Sequence, residues 1–318
     1  MQSTAGPDSM TSTESMARLD STIVPPARTL AHRSPVWVRV LKDCALRWHL
    51  CSVDAPSVAL VWALALGRMA GRRLPFADLA LLAFSTWTIY VLDRVLDGLR
   101  PGAVPLEQRH YFAARHRRIL LPLCGLASAA AAALCWQVPR PLLQLYLLLG
   151  AAVLVYAAQV HSRLLPAGVG SRPLHGFAKE GAVAVLFTAA VLAPAWVAAA
   201  PLHRPALLGA ALLLGLLCWL NCALISHAEG HGSPTARAPR MLLWVASAAA
   251  GLVAAAASLL TRDRPAQPVL LSLLLSSLSL AMLLRMLPAE PRPALARRVR
   301  VLADLALLTP LLFLLSRP

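Results

Sequence analysis

The sequence predicts an all-α membrane protein in which nine transmembrane helices form one bundle. Of its 318 residues, 58% are hydrophobic and 14% charged, and mean hydropathy is +0.65. That balance is too apolar for a water-soluble domain. The apolar positions are gathered into long runs rich in Leu, Ala and Val, separated by clusters of Pro, Arg and Gly. Continuous runs of about 20 apolar residues suit spanning helices, whereas barrel strands alternate over about ten.

Residues 1–34 are rich in Ser, Thr and Pro and lack the apolar stretch of a signal peptide. They are expected to be a disordered cytoplasmic tail. Over residues 35–50, Trp37, Leu41, Cys44 and Trp48 recur at helical spacing while Arg39, Lys42 and Arg47 take other positions. This is the pattern of an amphipathic helix lying in the membrane interface, with a soluble linker as the alternative. The transmembrane domain then occupies residues 51–318, with spans near 54–70, 76–97, 118–136, 141–160, 179–199, 205–228, 240–260, 267–287 and 300–316. The six cysteines include no C-x-x-C pair and most lie in apolar runs, so inert core thiols are expected.

The net charge of +16 would suggest nucleic acid in a soluble protein. Here the basic residues stand between spans, where lipid headgroups and membrane topology account for them; no nucleic-acid partner is expected. All are Arg except Lys42 and Lys179, a bias typical of GC-rich bacterial genomes, and the expected location is the inner (plasma) membrane. Across nine spans, 22 Lys and Arg fall on the side of the N-terminus and 8 on the other. The positive-inside bias therefore places the N-terminus in the cytoplasm.

Two polar stretches end apolar runs on that same side. In TIYVLDRVLDG, residues 88–98, Asp93 and Asp97 are one helical turn apart and project from one face, as suits a shared Mg²⁺ that completes its shell with water and phosphate oxygens. The alternative is a helix end at which the aspartates bond Arg94 or Arg100. The loop that follows carries Arg109 and Arg115 beside Tyr111 and Phe112; with Arg94 these are candidates to neutralise an anionic headgroup. In WLNCALISHAEG, residues 219–230, Asn221 and Glu229 are candidates to face the aspartates. His227 joins them only if the helix has ended there, and bonding between helices is the competing role for Asn221 and His227. Lys179 and Glu180 open the fifth span; Lys179 is a compact charge suited to a phosphate oxygen, with snorkelling or a local ion pair as alternatives. Asp304 is expected to pair with Arg298 or Arg300. No Walker A, dinucleotide-binding, zinc-protease or nucleophile-elbow motif occurs.

With acidic motifs ending the second and sixth spans, residues 50–318 resemble the UbiA superfamily of intramembrane prenyltransferases. Asp93 and Asp97 match the last two aspartates of that family's N-x-x-x-D-x-x-x-D motif, with Ile89 in place of the Asn. Asn221, Ile225 and Glu229 occupy the steps of its second motif, where only Glu229 is anionic. Lys179 matches a basic residue near the start of the fifth helix.

The resemblance implies a bundle with a central cavity open to the cytoplasmic side. It implies Mg²⁺ held by Asp93, Asp97 and Glu229, an isoprenyl diphosphate substrate, and Lys179 with loop arginines steadying the pyrophosphate. Asn221 would be part of the catalytic set, and Tyr90, Trp87, Trp219 and Phe187 are candidates to line the cavity. The activity implied is transfer of the isoprenyl group to a lipophilic acceptor within the bilayer. The alternatives are a terpene cyclase on the same scaffold and a non-catalytic lipid-binding or transport protein.

Overall fold

The computed structural model describes residues 35–99, 108–161, 177–229, 239–261, 263–287 and 293–315. The expected tail, residues 1–34, and Arg100 lie outside these. The chain divides into two compact units, residues 1–41 and 42–318. Of the first, the described part is the opening of helix α1 (Val36–Leu50), where Trp37, Val40 and Leu41 are exposed.

The second unit is helical wherever its described residues form regular structure. After α1 it contains α2 (Asp54–Met69), α3 (Phe76–Gly98), α4 (Gln108–Arg115), α5 (Arg117–Leu134), α6 (Arg140–Val160) and α7 (Phe177–Ala198). A short 3-10 turn, Pro201–His203, leads into α8 (Arg204–Glu229), followed by α9 (Arg240–Leu260), α10 (Ala266–Met286), α11 (Pro293–Ala306) and α12 (Leu311–Leu314). Prolines punctuate the starts: Pro75, Pro139 and Pro239 stand immediately before α3, α6 and α9. Their missing N–H is no loss there, because a helix leaves its first donors unused in any case.

Seven helices among the described residues are long and apolar enough to cross a bilayer: α3 and α5 to α10. Their bounds match the apolar runs of the sequence to within a few residues. The runs at 54–70 and 300–316 give shorter elements, for two reasons. With 16 residues, α2 is about 24 Å long, short of the ~30 Å hydrocarbon core. The last run is broken between α11 and α12: Pro310 cannot donate to the carbonyl of Ala306 and its ring would clash there. Tight turns, including Leu307 N–H to Asp304 O at 3.1 Å, fill the break.

The two shorter elements lie side by side along the length of α2. Asp304 lies 3.6 Å from His49 beside the start of α2, the Trp62 indole donates to the Leu307 carbonyl at 2.7 Å, and Arg68 donates to the Phe313 and Leu314 carbonyls. The carbonyls of Leu307, Phe313 and Leu314 thus accept from side chains on α2, as backbone groups at a helix break require.

The core lies between α2, α7, α8, α10 and α11, where Trp62, Leu66, Leu214, Leu217, Leu220 and Leu273 are fully buried. Small residues allow close helix approach, as in membrane bundles generally. Gly251 of α9 faces the Ser277 side chain of α10, while Ser247 donates to the Ser277 carbonyl at 2.8 Å. Gly215 of α8 faces Thr188 of α7 in the same way. At the end of α3, a Cβ on Gly98 would stand 2.5 Å from the His110 carbonyl oxygen, so the close seat of α4 depends on that glycine.

Candidate metal centre

The C-terminal ends of α3, α6 and α8 and the N-terminal end of α7 carry the polar groups that the sequence singles out, and they sort into three groups. The first holds Asp93 and Asp97, which α3 places one turn apart, and His161, which ends α6. Ligand atoms of all three lie within 4.8 Å of one another, and His161 Nε2 is 3.2 Å from Asp93 Oδ1. His110 of α4 stands 4.0 Å from Asp97 and accepts from Arg109 Nε at 3.0 Å. The positive charges of Lys179 and Arg109 also bear on Asp93. The Asp93 side chain is about half exposed, while those of Asp97 and His161 are largely buried, so the group is reached from the side of Asp93.

Two carboxylates with one imidazole fit a divalent cation. The aspartates supply the hard oxygens that Mg²⁺ takes, and the imidazole extends the set toward Mn²⁺ and other first-row ions. His161 has a second possible role, since a group hydrogen-bonded to a ligating carboxylate orients it.

The second group is a buried knot where α1, α2, α3, α8 and α11 meet. Asp54 Oδ2 lies 2.7 Å from His49 Nδ1 and accepts from Arg94 at 2.8 Å. The same Arg94 guanidinium donates to the His49 carbonyl. On the other side, Asn221 Nδ2 donates to Asp304 Oδ1 at 3.1 Å. Arg94, expected at the substrate, is therefore enclosed by α1 and α2. Asp304 meets Asn221 and His49, where the sequence suggested Arg298 or Arg300. Burial makes these pairings compulsory, because an isolated charge here would be strongly destabilised.

The third group is an ion pair between Glu229, at the end of α8, and Arg300 of α11. Among the described residues, Glu229 joins neither of the two clusters with metal-ligand spacing.

The other expected site residues are distributed around these groups. Tyr90 lies within reach of the charges of Asp54 and Asp304, and Glu180, beside Lys179, accepts from Ser226 at 2.7 Å. Arg115 donates to the exposed Tyr111 hydroxyl at 3.4 Å, and His227 is half-buried in the last turn of α8. Trp87 donates to the Cys51 carbonyl at 3.0 Å, which ties α3 to the turn between α1 and α2.

His161, His110, His49 and Asp54 were missed in the sequence. His161 closes a long apolar run directly after Val160, as Asp97 and Glu229 close theirs, so the sequence itself carries the signal for it. The roles of His49 and Asp54 depend on Arg94, some 40 residues away, and no local pattern announces them. Comparison with family models, curated proteins and solved structures gives no match to this chain.

Proposed function

We propose that the protein is an intramembrane enzyme that binds an isoprenyl diphosphate through a divalent cation and transfers the isoprenyl group to a lipophilic acceptor. The observation that carries this reading is the accessible Asp93–Asp97–His161 cluster, with Lys179 and Arg109 close enough for their charges to bear on it. Carboxylates that hold a cation, set beside fixed positive groups, make a receptor for a diphosphate. A phosphate on its own would call for the bases without the acids.

In this reading Asp93 and Asp97 would hold Mg²⁺, with His161 holding Asp93 in orientation. The ion would supply charge neutralisation to the diphosphate oxygens. Lys179 and Arg109 stabilise the negative charge left on the departing pyrophosphate. The surrounding apolar helices keep water from the carbon that the acceptor must reach. Cytoplasmic placement of this end of the bundle, with the N-terminus inside, belongs to the same proposal and rests on the 22 to 8 distribution of basic residues.

A second reading, a non-catalytic lipid-binding or transport protein, is favoured by one observation. Glu229 is paired with Arg300 and Asn221 with Asp304, so the second motif is engaged in holding α11. The two readings separate in one experiment: purified protein with a panel of prenyl diphosphates and Mg²⁺, monitored for pyrophosphate release and extracted products. Mg²⁺-dependent release supports the enzyme. Binding without release, or absence of Mg²⁺-dependent binding across the panel, removes the enzyme and leaves the second reading.

A further inference from the structure

At the opposite end of the bundle, α6 begins and α7 gives way to α8. A groove of about 480 Å³ opens there, lined by Pro141, Gln144, Leu145, Leu148, Trp196, Val197 and Arg204. Its chemistry is divided. Leu145, Leu148 and Val197 form an apolar floor on two spanning helices, while Gln144, Trp196 and Arg204 supply the polar groups. The Arg204 guanidinium lies over the Trp196 ring, 5.4 Å from its centroid, and its buried Nε has no hydrogen-bond partner. Among the described residues no carboxylate forms an ion pair with Arg204, and the lining contains no acid.

We infer that this groove binds an anionic phospholipid, with Arg204 on the phosphate and an acyl chain along Leu145, Leu148 and Val197. Three features select that occupant. A guanidinium stacked on an aromatic ring keeps its edge donors free, and their planar fork matches two phosphate oxygens. Tryptophan favours the level of the headgroups, where its ring is half apolar and half wet. The groove is too small for a whole phospholipid, but on its own face of α6 Leu148 and, two turns on, Val155 are exposed, so the chain can leave along the helix. A water-soluble anion would meet the same arginine but would gain nothing from the apolar floor.

The test uses full-length protein in a zwitterionic detergent, with phosphatidylglycerol or phosphatidylcholine titrated in. Lipid retention is read by native mass spectrometry and the melting midpoint by fluorescence. Wild type is expected to retain phosphatidylglycerol over phosphatidylcholine and to melt higher with it. Arg204→Gln is expected to weaken that retention about tenfold, as loss of one charge-assisted contact implies. Arg204→Lys, which keeps the charge but loses the fork and the stack, falls between, and Arg264→Gln, an exposed arginine in the α9–α10 connection, leaves retention unchanged. Equal retention of the two lipids by wild type overturns the inference, as does unchanged selectivity in Arg204→Gln. An equal rise in melting midpoint with inorganic phosphate alone also overturns it, by showing an anion site with no lipid component. If Arg204→Gln does not fold, Leu148→Gln, on the exposed floor, carries the test through loss of retention with Arg204 intact.

Discussion

Arg94 and Asp54 form a buried ion pair with an N–O distance of 2.8 Å, and the same guanidinium reaches the backbone carbonyl of His49. One side chain of α3 thereby ties the end of α1 to the start of α2, across the turn between them. Ser52, in that turn, takes the left-handed conformation with φ of 59°, which few non-glycine residues adopt.

Removal of the Asp54 charge is expected to destabilise the protein strongly. In Asp54→Asn the buried Arg94 loses its counter-ion, a change that typically costs about 3–5 kcal/mol. Asp97→Asn, in the accessible cluster, should leave stability nearly unchanged and abolish Mg²⁺-dependent diphosphate binding. Thermal unfolding in detergent, run on both variants, checks the contrast; similar midpoints would show that the two aspartates do not differ in role.

The Glu229–Arg300 pair predicts strong coupling between distant positions. Glu229→Gln and Arg300→Gln should each lower the melting midpoint, and the double variant should recover part of the loss. The expected coupling is about 1–3 kcal/mol, as for directly contacting charges. Additive effects would detach Glu229 from α11 and return it to consideration as a metal ligand.

His161 predicts a preference among cations. If its imidazole belongs to the coordinating set, His161→Ala should weaken Mn²⁺ binding more than Mg²⁺ binding, since nitrogen ligands favour the later first-row ions. If it only orients Asp93, both affinities should fall together, by about 10–100-fold. Calorimetric titration of each ion into wild type and variant distinguishes the cases. Unchanged affinity for both would exclude His161 from the site.

Gly98 offers a test by steric insertion. Gly98→Ala places a methyl 2.5 Å from the His110 carbonyl oxygen, so α4 must shift, carrying His110 away from Asp97. Diphosphate binding should weaken while α3 stays helical, since alanine favours helix over glycine by about 1 kcal/mol. Circular dichroism together with a binding assay reads both effects; intact binding would show that α4 plays no part in the site.

Reporters inserted at residues 103 and 234, after α3 and after α8, should both report cytoplasm. Opposite locations would separate Asp97 from Glu229 across the membrane and exclude the whole arrangement.

Much of this architecture was legible in the order of residues because hydropathy and proline act locally. The run at 240–260 is α9 without adjustment, and Asp93 and Asp97 share a face because helical periodicity alone puts them there. The partners of the second motif were hidden. Asn221 finds Asp304 across 83 positions and Glu229 finds Arg300 across 71, distances over which one sequence carries no pairing signal. The break at Pro310 was visible in the residues, but hydropathy averages across it and reports one continuous span. Arg94 was misleading for a physical reason: it sits in the acidic motif by sequence, while a turn of 100° per residue sends it to the opposite environment from its neighbour.

That turn gives Arg94 a further consequence. With Arg94 pointing into the protein, Asp93 and Asp97 stand about 100° and 60° from it around α3, both in the same sense. Their azimuth is thus set by a residue that lies outside the cluster itself. A roll of α3 by one residue's angle would swing both carboxylates off the cluster, and the same motion would pull a guanidinium out of a buried ion pair. The helix is keyed like a shaft on its axle, and the aim of the two acids is as firm as the seat of the key.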